Sequence, residues 1–201
     1  MTPSAPPDAR TLVAGIGNVF LCDDGFGVET ARRLAERELP ARTEVVDIGV
    51  RGVHLAYQLL DGYDTLVLVD ATARGEAPGT LYVIEHDVAG VTPSPAAAAM
   101  DGHRMTPDTV LALLGALCAG TGTEPPRRVL VVGCEPASVE EGIGLSAPVS
   151  DAVPRAVRLI EDLLRNSEPP AERTPTAQTP TAQTPTAQTP TARASTVRAT
   201  T

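Results

Sequence analysis

A chain of 201 residues with a formal charge of −9 is long enough for one well-buried domain. It is too acidic to favour nucleic acid or an anionic membrane surface as a partner. All 16 basic residues are arginine, which excludes a phosphate-loop lysine, a Schiff-base lysine and a serine–lysine dyad. Three scattered cysteines, Cys22, Cys118 and Cys134, make neither a disulfide framework nor a zinc knuckle.

Residues 1–9 read as a flexible lead-in rich in proline and alanine, without the basic and apolar regions of a signal peptide. TLVAGI (11–16) is an apolar run ending in glycine, expected as a buried strand. The loop after it, within GIGNVFLCDDG (15–25), has the glycine spacing of a phosphate cradle, yet it carries two aspartates and no cation. Val28, Ala31, Leu34, Ala35 and Leu39 then recur at helical spacing and predict an amphipathic helix. TEVVDIG (43–49) is the second strand, and Val53 to Leu60 a short helix. DTLVLVD (64–70) is almost wholly apolar, as a centre strand covered on both faces should be. TLYVIE (80–85) follows a loop without a crossover helix, so an antiparallel or edge strand is expected.

The segment 86–106 has no evident secondary structure, and a loop that long inside a compact domain is usually functional. Thr106-Pro107 is a helix N-cap with proline at the first helical position, opening MTPDTVLALLGALC. RVLVVG (128–133) is the last strand, and a helix from about Asp151 to Arg165 buries Val153, Val157, Ile160 and Leu164, with Pro154 near its start. From Thr174 the pentad TPTAQ occurs three times and then once as TPTAR. Proline every fifth residue cannot build a core, so 167–201 is expected to be a disordered tail after a domain spanning 10–166. Strands alternating with helices predict an α/β three-layer sandwich around a mostly parallel five-stranded sheet. No apolar run reaches 18 residues, so no membrane span and a cytoplasmic location are expected.

In doubly wound sheets ligands bind at the carboxyl ends of the strands, where strand order reverses. With order 2-1-3, the loop bearing Asp23 and Asp24 would meet Asp70 at the end of the third strand. Carboxylates held together need a proton or a metal ion between them. His103, in the long segment, would complete a set of two carboxylates and one imidazole suited to a borderline divalent metal.

Plainer readings stand beside these. Either Asp23 or Asp24 could cap the following helix, with one residue for each role. Asp70 could be a turn residue, and His103 alone a loop histidine. His54 and His86 read as ordinary histidines, Asp47 as a turn or supporting residue, and Cys22 as a packed thiol. A dinucleotide fingerprint fails because Phe20 stands where its third glycine belongs. A G-x-S-x-G elbow and an H-E-x-x-H helix are absent.

The motifs together resemble the nickel–iron hydrogenase maturation proteases, endopeptidases that trim the C-terminus of the hydrogenase large-subunit precursor. GIGNVFLCDDGFGV resembles the family's G-x-G-N-x-x-x-x-D-D/E-G-x-G-V signature, and LVLVDA (66–71) its third-strand aspartate motif. HRMTPDTVLAL (103–113) resembles its histidine motif and VVGCEPASVEEGIGLSAPV (131–149) its C-terminal block, so the likeness covers roughly 10–165. The resemblance implies the fold of the phosphorylase/hydrolase-like sandwiches. It also implies that Asp24, Asp70 and His103 are the metal-contacting catalytic residues, which chooses Asp24 over Asp23. The metal implied is nickel carried by the substrate precursor rather than held permanently, and the implied partner is that precursor, met by a monomer. Where the family often has Gly-Gly-Thr-x-Gly, this chain reads IGVRG (48–52), so Gly49, Arg51 and Gly52 become candidates for substrate recognition. Two other readings remain: a nickel-dependent checkpoint or chaperone that binds the precursor without cutting it, and a related peptidase using a tightly held metal on another substrate.

Overall fold

The computed structural model describes residues 9–86 and 107–167. Five strands form one sheet: β1 (Thr11–Ile16), β2 (Thr43–Gly49), β3 (Thr65–Ala71), β4 (Leu81–His86) and β5 (Arg128–Cys134). Their order is β2-β1-β3-β5-β4, with β4 antiparallel to β5 at one edge and every other pairing parallel. The antiparallel edge follows from the short β3–β4 connection, which has no room for a crossover helix. The expected 2-1-3 order is therefore present.

Four α-helices flank the sheet: α1 (Phe26–Ala35), α2 (Gly52–Gln58), α3 (Pro107–Thr121) and α4 (Ala147–Ser167). Side chains alternate along the central strand and divide the core in two. Leu66 and Leu68 pack with Leu55 and Leu59 of the α2 region and with Val110 and Leu114 of α3. Val67 and Val69 pack on the other face with Phe26 and Leu34 of α1 and with Val153 and Ile160 of α4. Each fully buried leucine contributes on the order of 2 kcal/mol of transfer free energy.

Two helix boundaries differ from expectation. α1 ends at Ala35, so Leu39 packs against the core from beyond the helix. Pro40 lacks a donor and disfavours helical backbone at Leu39, so a helix running through Leu39 is not available. α4 begins four residues before Asp151, at Ala147, and carries Pro154 inside it rather than near its start. Pro154 lies on the exposed face, where its ring meets solvent instead of the sheet. The lead-in 1–8, most of the long segment (87–106) and the tail beyond 167 lie outside the described residues, as do the expectations placed on them.

Candidate active site

The site is assembled at the carboxyl ends of β1 and β3. β1 runs into Gly17, whose φ of +131° lets the chain turn sharply. A Cβ there would sit 1.8 Å from the carbonyl oxygen of Asp24, so only glycine lets the loop close on itself. The loop ends in a single 3-10 turn, Cys22–Gly25, and passes directly into α1. Gly27, in the first turn of α1, lies against the sheet: a Cβ on it would approach Val69 O to 2.1 Å and Ile16 O to 2.2 Å. This contact brings the start of α1, and Asp24 before it, over the end of β3.

Asp24 and Asp70 are half-buried there. Asp24 Oδ2 accepts a hydrogen bond of 2.6 Å from the backbone N–H of Asn18, which fixes the carboxylate inside its own loop. Asp70 is held by its strand, paired with Gly133 of β5. Burial, and then the negative charge of Asp24, push the Asp70 carboxyl up to about 7, against a small opposing bond from the Ala71 N–H. The two acids that the sequence placed at one crevice are thus close enough to repel. Such a pair favours a proton or a cation.

His103 lies outside the described residues, so its place beside these acids is not described. Among the described residues no three His, Cys, Asp or Glu side chains gather as a metal site. His54 is exposed on α2, and His86 is the last residue of β4 rather than following it.

Asp23 has a different role from the helix cap considered for it. Neither aspartate caps α1 through its side chain; the N-cap position is Gly25, with no side-chain bond. Asp23 is fully buried and accepts four bonds from the β5–α4 loop: Ala137 N at 2.8 Å, Ser138 N at 3.1 Å, Ser146 N at 2.6 Å and Ser146 Oγ at 2.9 Å. Burial alone would raise its pKa, but the bonds from Ser146, Ala137 and Ser138 together outweigh it and hold the carboxyl below its ordinary value. The same two loops meet again where Cys22 N donates to Gly142 O and Gly142 N to Phe20 O. A Cβ on Gly142 would lie 2.5 Å from the Cys22 sulfur, so the thiol is packed, as its surroundings in the sequence suggested.

A second buried carboxylate ties down the next loop. Glu135 accepts bonds from Arg74 N, Gly75 N and the Tyr82 hydroxyl, at 2.8, 3.0 and 2.6 Å. The Tyr82 hydroxyl has the largest effect; burial opposes it, and the backbone donors add to it, so this carboxyl stays below its usual range. Neither clamp was singled out by sequence reasoning. The available signal was an acid beside Asp24 and another in the GCEP stretch.

On the β2 side, Gly49 has φ +55° and its carbonyl accepts from Gly17 N at 3.1 Å. Arg51 folds back on its own strand, donating to Ile48 O at 3.0 Å and Asp47 O at 2.6 Å. Asp47 itself pairs with Arg32 of α1 at 3.0 Å. The turn is therefore braced at the same end of the sheet as the acids.

Comparison with known proteins agrees with this arrangement. A family model described as hydrogenase maturation protease matches residues 28–163. The chain belongs to the hydrogenase maturation protease family. A hydrogenase expression/formation protein of Rhizobium leguminosarum is 33% identical over 163 residues, covering 80% of this chain and 77% of that protein. The hydrogenase 2 maturation protease of Escherichia coli is 31% identical over 160 residues, covering 79% and 92% respectively. The solved structure of the E. coli hydrogenase maturating endopeptidase HybD superposes with a TM-score of 0.61 at 29% identity, covering 79% of this chain and 93% of that one. The family's fold is this mostly parallel five-stranded sandwich, and its activity is peptide-bond hydrolysis.

Proposed function

We propose that this endopeptidase removes the C-terminal extension of the nickel-loaded precursor of a nickel–iron hydrogenase large subunit. The observation that carries this reading is the Asp24–Asp70 pair: two carboxylates, one raised to about 7, at the ligand end of a family peptidase. Such a site accepts a cation presented to it more readily than a phosphate or a free carboxylate.

In this reading the nickel arrives with the substrate. Asp24, Asp70 and His103 approach it, and the metal polarises the adjoining scissile carbonyl. One carboxylate takes the proton of the attacking water, and that proton passes to the amine of the departing extension. The preorganised acids thereby restrict cleavage to metal-bearing precursor. Gly49, Arg51 and Gly52, at the same end of the sheet, contact the substrate's C-terminal segment. The enzyme works as a cytoplasmic monomer, without nucleic acid or membrane. Among the described residues no helix is long and apolar enough to cross a membrane.

The test is an intact-mass assay on purified precursor, with and without nickel, mixed with wild type or Asp24→Asn. A C-terminal mass loss only with nickel and only with wild type is expected. Nickel-dependent co-elution without mass loss would replace this reading with a binding checkpoint. A tightly held stoichiometric metal on the free enzyme would favour a resident-metal peptidase.

A further inference from the structure

The β1–α1 and β5–α4 loops are pinned together by the four bonds to Asp23 and by the Phe20–Cys22 bridge to Gly142. Yet they hold large apolar side chains in water: Ile143 is 85% exposed, Phe20 64% and Val139 51%. A loose loop could turn such side chains inward. A pinned one keeps them exposed until something covers them.

Between these loops and α1 lies a groove of about 320 Å³, with Gly25 among its lining residues and walls from Val19, Ile143 and Leu145. Two of its lining residues, Val19 and Gly25, are the chain neighbours of Asn18 and Asp24, whose backbone N–H and carboxylate are bonded to each other, so the groove lies one residue away from that acid. A Cβ at Gly25 would meet Val19 Cα at 3.3 Å, and the missing side chain keeps the groove open. Its volume lies near the lower end of small-ligand pockets, roughly 300–1,000 Å³, which suits an extended strand of a few residues. Arg32 and Arg33 stand at the α1 side, but each already pairs with an acid, Asp47 and Glu29 respectively. With those charges paired inside the enzyme, Val19, Ile143 and Leu145 are the groups on the loop side left to meet an occupant, beside the hydroxyl-bearing Ser150.

We propose that this groove seats the peptide flanking the scissile bond, as an extended segment with apolar side chains. The inference rests on the reading that the enzyme processes a peptide extension, and it assigns Ile143 and its neighbours the recognition of that peptide.

The test compares steady-state processing of nickel-loaded precursor by wild type, Ile143→Asp, Ile143→Val and Val83→Ser, the last an exposed residue on the edge strand β4. The exposure of Ile143 keeps both its variants folded, checked by circular dichroism. Ile143→Asp should raise KM by about tenfold with kcat within about twofold, while Ile143→Val and Val83→Ser match wild type. An unchanged KM in Ile143→Asp overturns the inference and leaves the cleavage reading intact. So does a dimer, seen by sedimentation, that this variant splits without altering KM: the groove would then be a self-interface. No cleavage by wild type overturns the underlying reading, and the inference with it.

Discussion

Asp70 has a carboxyl buried at a strand end and facing one like charge, and both effects raise its pKa to about 7 from an ordinary 3.8. A carboxyl that holds its proton more tightly in the folded chain contributes stability that is complete below pH about 3.8 and lost as pH rises through about 7. Asp70→Asn should therefore melt higher than wild type at pH 8, by about 3–6 °C, with the gap closing toward pH 4. Calorimetry at the two pH values checks it, and a gap that widened in acid would reverse the assignment. Asp23 has the opposite sign: its lowered pKa contributes stability that is present above 3.8 and lost as pH falls through its folded value. Asp23→Ala leaves the N–H groups of Ala137, Ser138 and Ser146 without their acceptor and should cost about 2–4 kcal/mol in urea unfolding at pH 7. A loss below about 0.5 kcal/mol would show that water replaces the clamp freely.

At the scale of elements, α1 matters because of where it begins. Its first turn lies on Val69 and Ile16 only because Gly27 has no side chain. Gly27→Ala forces α1 off the sheet, with an expected cost of about 3 kcal/mol or more, read as loss of soluble, cooperatively melting protein. The strands were legible from the sequence because apolar runs bounded by glycine, threonine and aspartate leave little choice of boundary: β1 and β2 fall where expected, and the other three within one residue. The start of α4 was less legible, since a proline reads as a first-turn residue and Pro148, not Pro154, plays that part. Topology alone could bring the loop bearing Asp23 and Asp24 to Asp70, because that loop follows β1 and Asp70 lies at the end of the adjacent parallel strand β3; the choice of Asp24 over Asp23 came from the family resemblance. The Asp23 clamp could not: its partners lie 114 to 123 residues away, and local pattern carries no trace of a contact that distant. Arg51 was legible as an irregular residue in the turn, but not as a brace on its own strand.

For the whole molecule, strand order ranks the stability of its parts. β1, β3 and β5 are paired on both sides, whereas β2 and β4 are edges. In native-state hydrogen exchange the slowest amides should fall in β1, β3 and β5, with β2 and β4 exchanging sooner. Slowest exchange in β4 would contradict the edge assignment. The same order also governs when the enzyme matures. Among the described strands, β4 has only β5 as a neighbour, and β5 is the last strand to be synthesised. The residues that grip Asp23 follow it. A nascent chain can pair β1, β2 and β3 early, but β4 waits for a distant stretch of sequence, a long-range closure of the kind that slows folding. The acidic loop is translated early, and the donors to Asp23 come 114 to 123 residues later. A peptidase built in this order gains the clamp on Asp23 only after β5 and the loop that follows it have been made.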